Sequence, residues 1–98
     1  MARNEKPVRK DKEAAELIRR LRTDRGLSPE SLSNSIREKA IGAGIPASKV
    51  SVSGDTIRLI ERTYREPGPR VKFAIAFYFD LRPGHIWKRD RVFEEIAA

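Results

Sequence analysis

The sequence predicts an all-α domain of five helices, on three observations. Apolar residues recur at helical spacing in successive stretches. Serine–proline, glycine and proline punctuation separates those stretches, and only residues 49–52 alternate in the manner of a strand. With 98 residues, 39% of them hydrophobic, the chain suits one small domain with a modest core.

Each element follows from its residues. Residues 1–12 (MARNEKPVRKDK) carry five basic and two acidic side chains and almost nothing apolar, so they read as a flexible basic arm ahead of a domain spanning 13–98. Ala14, Leu17, Ile18 and Leu21 then fall at helical spacing, and Gly26 is a C-cap for a first helix of about 13–25. Ser28-Pro29-Glu30-Ser31 is a strong helix start, because serine caps free amides and proline in the first turn loses no hydrogen bond. Leu32 and Ile36 give that second helix its apolar stripe, to about Lys39 or Ile41. Two glycines and a proline break the pattern over 42–52, where Lys49-Val50-Ser51-Val52 alternates like a short strand. Ser53 caps a third helix running to about Arg62, with Asp55 well placed against the helix dipole. Ile57 and Ile60 share one face of it, while Arg58 and Arg62 share another. After Pro67-Gly68-Pro69, residues Val71, Phe73, Ile75, Ala76 and Phe79 make a fourth helix apolar nearly all round, central to the core. Beyond Asp80–Gly84, Ile86, Trp87, Phe93 and Ile96 mark a last helix over about 84–97.

Charge narrows the partners. Twenty-one Lys and Arg against 14 Asp and Glu leave +7, with a pI near 10.2. That excess suits a polyanion, since counterion release favours such contacts. Without cysteine, disulfides and thiolate zinc sites are excluded. No apolar run approaches the roughly 20 residues a bilayer requires, and the start lacks a signal peptide's apolar core. A soluble cytoplasmic protein is expected, with no membrane partner. The single histidine, His85, makes a poor metal site, and Gly42-Ala43-Gly44 lacks the lysine and hydroxyl of a phosphate loop. No acid/base or nucleophile constellation is evident, so neither catalysis nor a cofactor is expected.

The order of residues is more specific than the charge. Leu21-Arg22, Arg25-Gly26-Leu27-Ser28 with Glu30 and Leu32, then Ser53, Thr56-Ile57, Ile60-Glu61-Arg62 and Pro67 form one series. Phe73, Ile75, Ala76, Leu81 and Ile86-Trp87 complete it. This series resembles the repressor/Cro-like (Xre) helix-turn-helix family, such as the Cro-type and small immunity regulators of temperate phages and prophages. The resemblance implies a five-helix repressor-like domain that binds operator DNA as a homodimer and represses transcription in a bacterial host cell, with no small-molecule ligand. It implies base reading by the start of helix three: Ser53, Gly54, Asp55, Thr56 and Arg58. Arg58 can donate two hydrogen bonds to guanine; Asp55 either accepts from a cytosine amino group or orients Arg58, the second being favoured because phosphates repel a carboxylate. Phosphate contacts are expected from Ser28, Ser31, Lys49, Arg62, Tyr64, Arg65, Arg70 and Lys72. Arg22 and Glu61 match a structural ion pair between helices one and three. Phe77, Tyr78, Trp87 and Phe93 are candidates for the dimer interface, with core burial the commoner fate of Trp87.

One departure from the family is large. Ile36 and Ile57 stand 21 positions apart, where the usual tight turn places them about seven apart, so about 14 extra residues (38–52) lie inside the motif. They are expected to lengthen helix two and add a loop or β-like wing near DNA, carrying Lys39 and Lys49. Two other classes share the charge and the helices: a protein-interaction module such as an antitoxin or adaptor, and a non-specific nucleic-acid-binding protein.

Overall fold

Five α-helices and one 3-10 turn account for most of residues 9–90, the part of the chain that the computed structural model describes. They are α1 (Lys12–Asp24), α2 (Pro29–Gly42), the 3-10 turn (Ala47–Lys49), α3 (Gly54–Thr63), α4 (Pro69–Tyr78) and α5 (Pro83–Ile86). Among the described residues there is no strand, only an isolated antiparallel bridge between Lys10 and Arg65.

Local chemistry sets the helix boundaries. Asp11 caps α1 by accepting from the Ala14 amide at 3.0 Å, Ser28 caps α2 through the Ser31 amide, and Ser53 caps α3 through the Thr56 amide at 3.1 Å. Pro29 and Pro69 occupy first-turn positions, where a missing N–H costs nothing. Tyr64 ends α3 in the left-handed region, at φ 62°, and its amide donates back to the Ile60 carbonyl. The helices close around one core. Ala14 and Ile18 of α1, Leu32 and Ile36 of α2, Ile57 and Ile60 of α3, and Ala74 and Ile75 of α4 are all buried, with Ile86 and Trp87 closing one end.

The insertion packs as part of this core. It extends α2 to Gly42 and returns through the 3-10 turn to α3, with Val50 and Val52 buried and Ile45 packed against the core. The Ser33 hydroxyl donates to the Val52 carbonyl at 2.6 Å, tying the returning chain to α2. The expected strand over 49–52 is therefore corrected. The alternation is a true burial pattern, Val50 and Val52 inward and Ser51 outward, but no second strand lies alongside to form a ladder. Lys39 is corrected too: its ammonium donates to the Phe77 and Tyr78 carbonyls (2.8 and 3.0 Å) and to the Asp80 carboxylate (2.6 Å). It thus caps the carboxyl end of α4, where cations are favoured. That hydrogen bond, reinforced by the lysine charge, holds the Asp80 carboxyl below its ordinary value.

Both ends of the described chain differ from expectation. Arg9–Lys12, assigned to a flexible arm, are ordered: the Asp11 amide donates to the Tyr64 carbonyl at 2.7 Å and the Glu66 amide to the Arg9 carbonyl at 2.8 Å. Backbone pairing, invisible to a reading of apolar side chains, fastens this segment, and Lys12 begins α1. In the described part of the expected last helix, α5 spans four residues, Trp87 interrupts, and residues 88–90 are helical; the rest of that helix lies outside the described residues. Phe93, like residues 1–8 and 91–98 as a whole, lies outside the described residues. Helix α4 is less uniformly inward than its composition suggests, since Phe73 is 47% exposed and stacks on half-buried Phe77 at 6.0 Å.

Candidate nucleic-acid interface

Helix α3 is held between α1 and the start of α2. Its inward residues, Ile57 and Ile60, are buried, and its outward residues include exposed Asp55, Arg58 and Arg62. Arg22 of α1 meets Glu61 in a two-pronged pair, Nε to Oε2 at 2.8 Å and Nη2 to Oε1 at 2.7 Å, while its Nη1 donates to the Leu27 carbonyl. Both side chains are nearly buried, at 12% and 9% exposure, and the carboxylate hydrogen bond raises the Arg22 guanidinium above its ordinary value. A bidentate pair fixes orientation as well as distance, so it sets the rotation of α3 against α1.

At the amino end, α3 abuts α2. A Cβ on Gly54 would lie 3.2 Å from the Glu30 backbone nitrogen and 3.3 Å from its Cα. Glycine permits this approach, which brings the first turns of α2 and α3 side by side. The side chains then meet across it: Arg58 pairs with Glu30 of α2 and with Asp55 of its own helix, at 2.9 Å to the latter. One cation faces two carboxylates, so this three-residue cluster carries −1. The carboxyl end has the opposite character. Arg62 and Arg65 are exposed, and neither forms an ion pair with a described carboxylate. A cleft of about 300 Å3 between α1 and α3 is lined by Arg19, Arg22, Pro29, Arg58, Glu61 and Arg62.

No family model, curated protein or solved structure matches the chain. The geometry must therefore carry the functional reading by itself. Among the described residues no helix is long and apolar enough to cross a membrane, and no cluster of three or more metal-ligating side chains occurs.

The structure gathers many of the sequence-predicted residues and separates others. Ser53, Asp55, Thr56 and Arg58 lie together at the amino end of α3 beside Ser28 and Ser31, whose hydroxyls bond to each other at 2.9 Å. Gly54 is half-buried against Glu30, so it sets helix spacing and presents no group to a base. Lys49 and Arg70 are exposed, whereas Tyr64 is half-buried with Lys12 over its ring at 5.8 Å. Lys72 does not belong to the interface. It is buried, 3.1 Å from Glu66 and 2.7 Å from Asp90, with its ammonium 5.6 Å from the Trp87 ring. A buried cation needs such partners, and these consume it. Trp87 is 0% exposed and so cannot form a subunit contact; Phe77 and Tyr78 are half-buried, with Lys39 over both rings. One residue of consequence, Glu30, was missed, and Lys10 was placed in the flexible basic arm. Glu30 sits four residues before no cation of its own helix, and only the fold joins it to Arg58.

Proposed function

We propose that the protein is a sequence-specific DNA-binding regulator, a repressor that occupies operator DNA as a homodimer with α3 in the major groove. The observation that carries this reading is the presentation of α3. Its buried face and the Arg22–Glu61 pair hold it rigidly, while Arg58 and Arg62 project from the outer face beside the start of α2. Helices α2 and α3 act as the two helices of a helix-turn-helix, with the longer connection folded back on the core.

In this reading Arg58 reads guanine through O6 and N7, a contact that discriminates by about 1–3 kcal/mol. Asp55 and Glu30 hold its guanidinium until a base replaces them. Ser28, Ser31, Arg62, Arg65, Lys49 and Arg70 contact phosphates and supply salt-dependent affinity. Half-exposed Phe73, stacked on Phe77, offers apolar surface to a second copy.

Selection of bound duplexes from a random pool tests the proposal. The wild type should enrich one two-fold-symmetric site, and Arg58→Ala should flatten the preference at one position of each half-site. Equal affinity for random duplex, RNA and the selected sequence would sink it in favour of a non-specific nucleic-acid-binding protein. A failure to bind any of them would favour the protein-interaction reading.

A further inference from the structure

Lys10 and Arg65 are partners in the antiparallel bridge that fastens the start of the domain to the loop after α3. The bridge is closed by the Asp11 amide on the Tyr64 carbonyl and the Glu66 amide on the Arg9 carbonyl, so Lys10 and Arg65 form its non-hydrogen-bonded pair. Such a pair sends both side chains from the same face, with Cβ atoms about 5 Å apart. Both residues are exposed, and like charges placed directly opposite repel.

Among the described residues nothing nearby offsets that repulsion. Asp11 is engaged as the cap of α1. The Glu66 side chain, only 8% exposed, turns instead to Lys72 at 3.1 Å and Arg89 at 3.8 Å. Among the described residues neither Lys10 nor Arg65 has a carboxylate partner. A backbone pairing thus holds an ammonium and a guanidinium together with no described carboxylate between them.

We propose that Lys10 and Arg65 form a two-cation clamp for a single phosphate group of the DNA backbone. The guanidinium offers a planar fork to two phosphate oxygens and the ammonium a point charge to the same group. Placement agrees with chemistry. The clamp begins two residues past Thr63, the last residue of α3, whereas Arg58 lies within the helix, five residues before that end. A base reader within α3 and a phosphate clamp past its carboxyl end thus occupy different parts of one element, as base and backbone contacts require. Assigning DNA as the source of the phosphate rests on the function proposed above; the clamp itself rests on the bridge.

Salt titrations of duplex binding with Lys10→Gln, Arg65→Gln and the double variant test the clamp, beside a pyrophosphate titration of the DNA-free protein followed by amide chemical shifts. The double variant should lower the slope of log K against log salt by about 0.9, one phosphate in place of two, with the single variants in between and the sequence preference intact. Tm should stay level or rise, because repulsion is relieved. Arg65→Glu, which pairs with Lys10, should raise Tm and lower affinity further. Pyrophosphate should shift the Lys10 and Arg65 amides of the wild type and not those of the double variant. Slopes unchanged in all three variants, or a double variant that loses two phosphates, would overturn the clamp. If the wild type binds no DNA yet pyrophosphate shifts these amides, the clamp stands and the DNA assignment falls; if pyrophosphate shifts nothing there, the clamp itself fails.

Discussion

The two ends of α3 carry cations in opposite settings. At the amino end, Arg58 faces Glu30 and Asp55 in a cluster of net charge −1. At the carboxyl end, Arg62 and Arg65 stand exposed without a described carboxylate partner, and Lys10 is brought up beside Arg65. A cation held by two carboxylates gains little from a phosphate, which adds a third negative charge to the cluster. It gains more from the edge of guanine, which accepts two hydrogen bonds without a net charge. Unpaired cations show the reverse preference. The difference separates discrimination from adhesion along one helix: the amino end suits a base, and the carboxyl end suits the backbone.

The largest expected effect comes from the pair that holds both ends in place. Glu61→Ala leaves the nearly buried Arg22 guanidinium without its carboxylate and should cost about 3 kcal/mol in urea unfolding. Replacing both residues with methionine should restore much of that stability, since an apolar pair of similar size needs no desolvated charge. If Glu61→Ala unfolds with the wild-type midpoint, the pair does not hold α3 in place.

A smaller effect isolates the amino end. Gly54→Val forces atoms against the Glu30 backbone, already 3.2 Å from a Cβ at this position, and should cost about 1–3 kcal/mol. Because it parts the first turns of α2 and α3, it should separate Glu30 from Arg58 and blunt sequence preference. The salt slope should not fall, because the phosphate contacts lie at the other end. Loss of slope with intact preference would reverse the roles assigned to the two ends.

What could be read from the sequence divides along the same physical line. The caps Ser28 and Ser53, and the prolines at the starts of α2 and α4, act within three or four residues, so local order suffices to place those helices. Ile57 and Ile60 reveal the buried face of α3 by spacing alone. Contacts between distant segments leave no such trace. Lys39 finds Asp80 across 41 positions, Lys72 finds Asp90 across 18, and both therefore look like surface cations in the sequence. The pairing of Arg9–Asp11 with Tyr64–Glu66 uses backbone groups that every residue possesses, so composition reads the segment as an arm. The Arg22–Glu61 pair, 39 positions apart, was expected only through resemblance to a family. Spacing within the chain does not imply it.

The smallest expected effect bears most directly on the contrast between the ends. Glu30 is 56% exposed and Arg58 45%, so their pair adds at most about 1 kcal/mol to stability, and Glu30→Gln should leave unfolding nearly unchanged. Its consequence lies in the local charge, which rises from −1 to zero. Arg58 then becomes available to phosphates, affinity for random duplex should rise several-fold, and the salt slope should steepen by up to about 0.9. Affinity for the selected site should rise less, because there guanine already takes Arg58 from its carboxylates. The ratio of the two affinities therefore falls, although each binds more tightly. Random-duplex affinity and slope equal to those of the wild type would mean that Glu30 does not restrain Arg58. In that case the two ends would differ in position only, and discrimination would have to arise from Ser53 and Thr56.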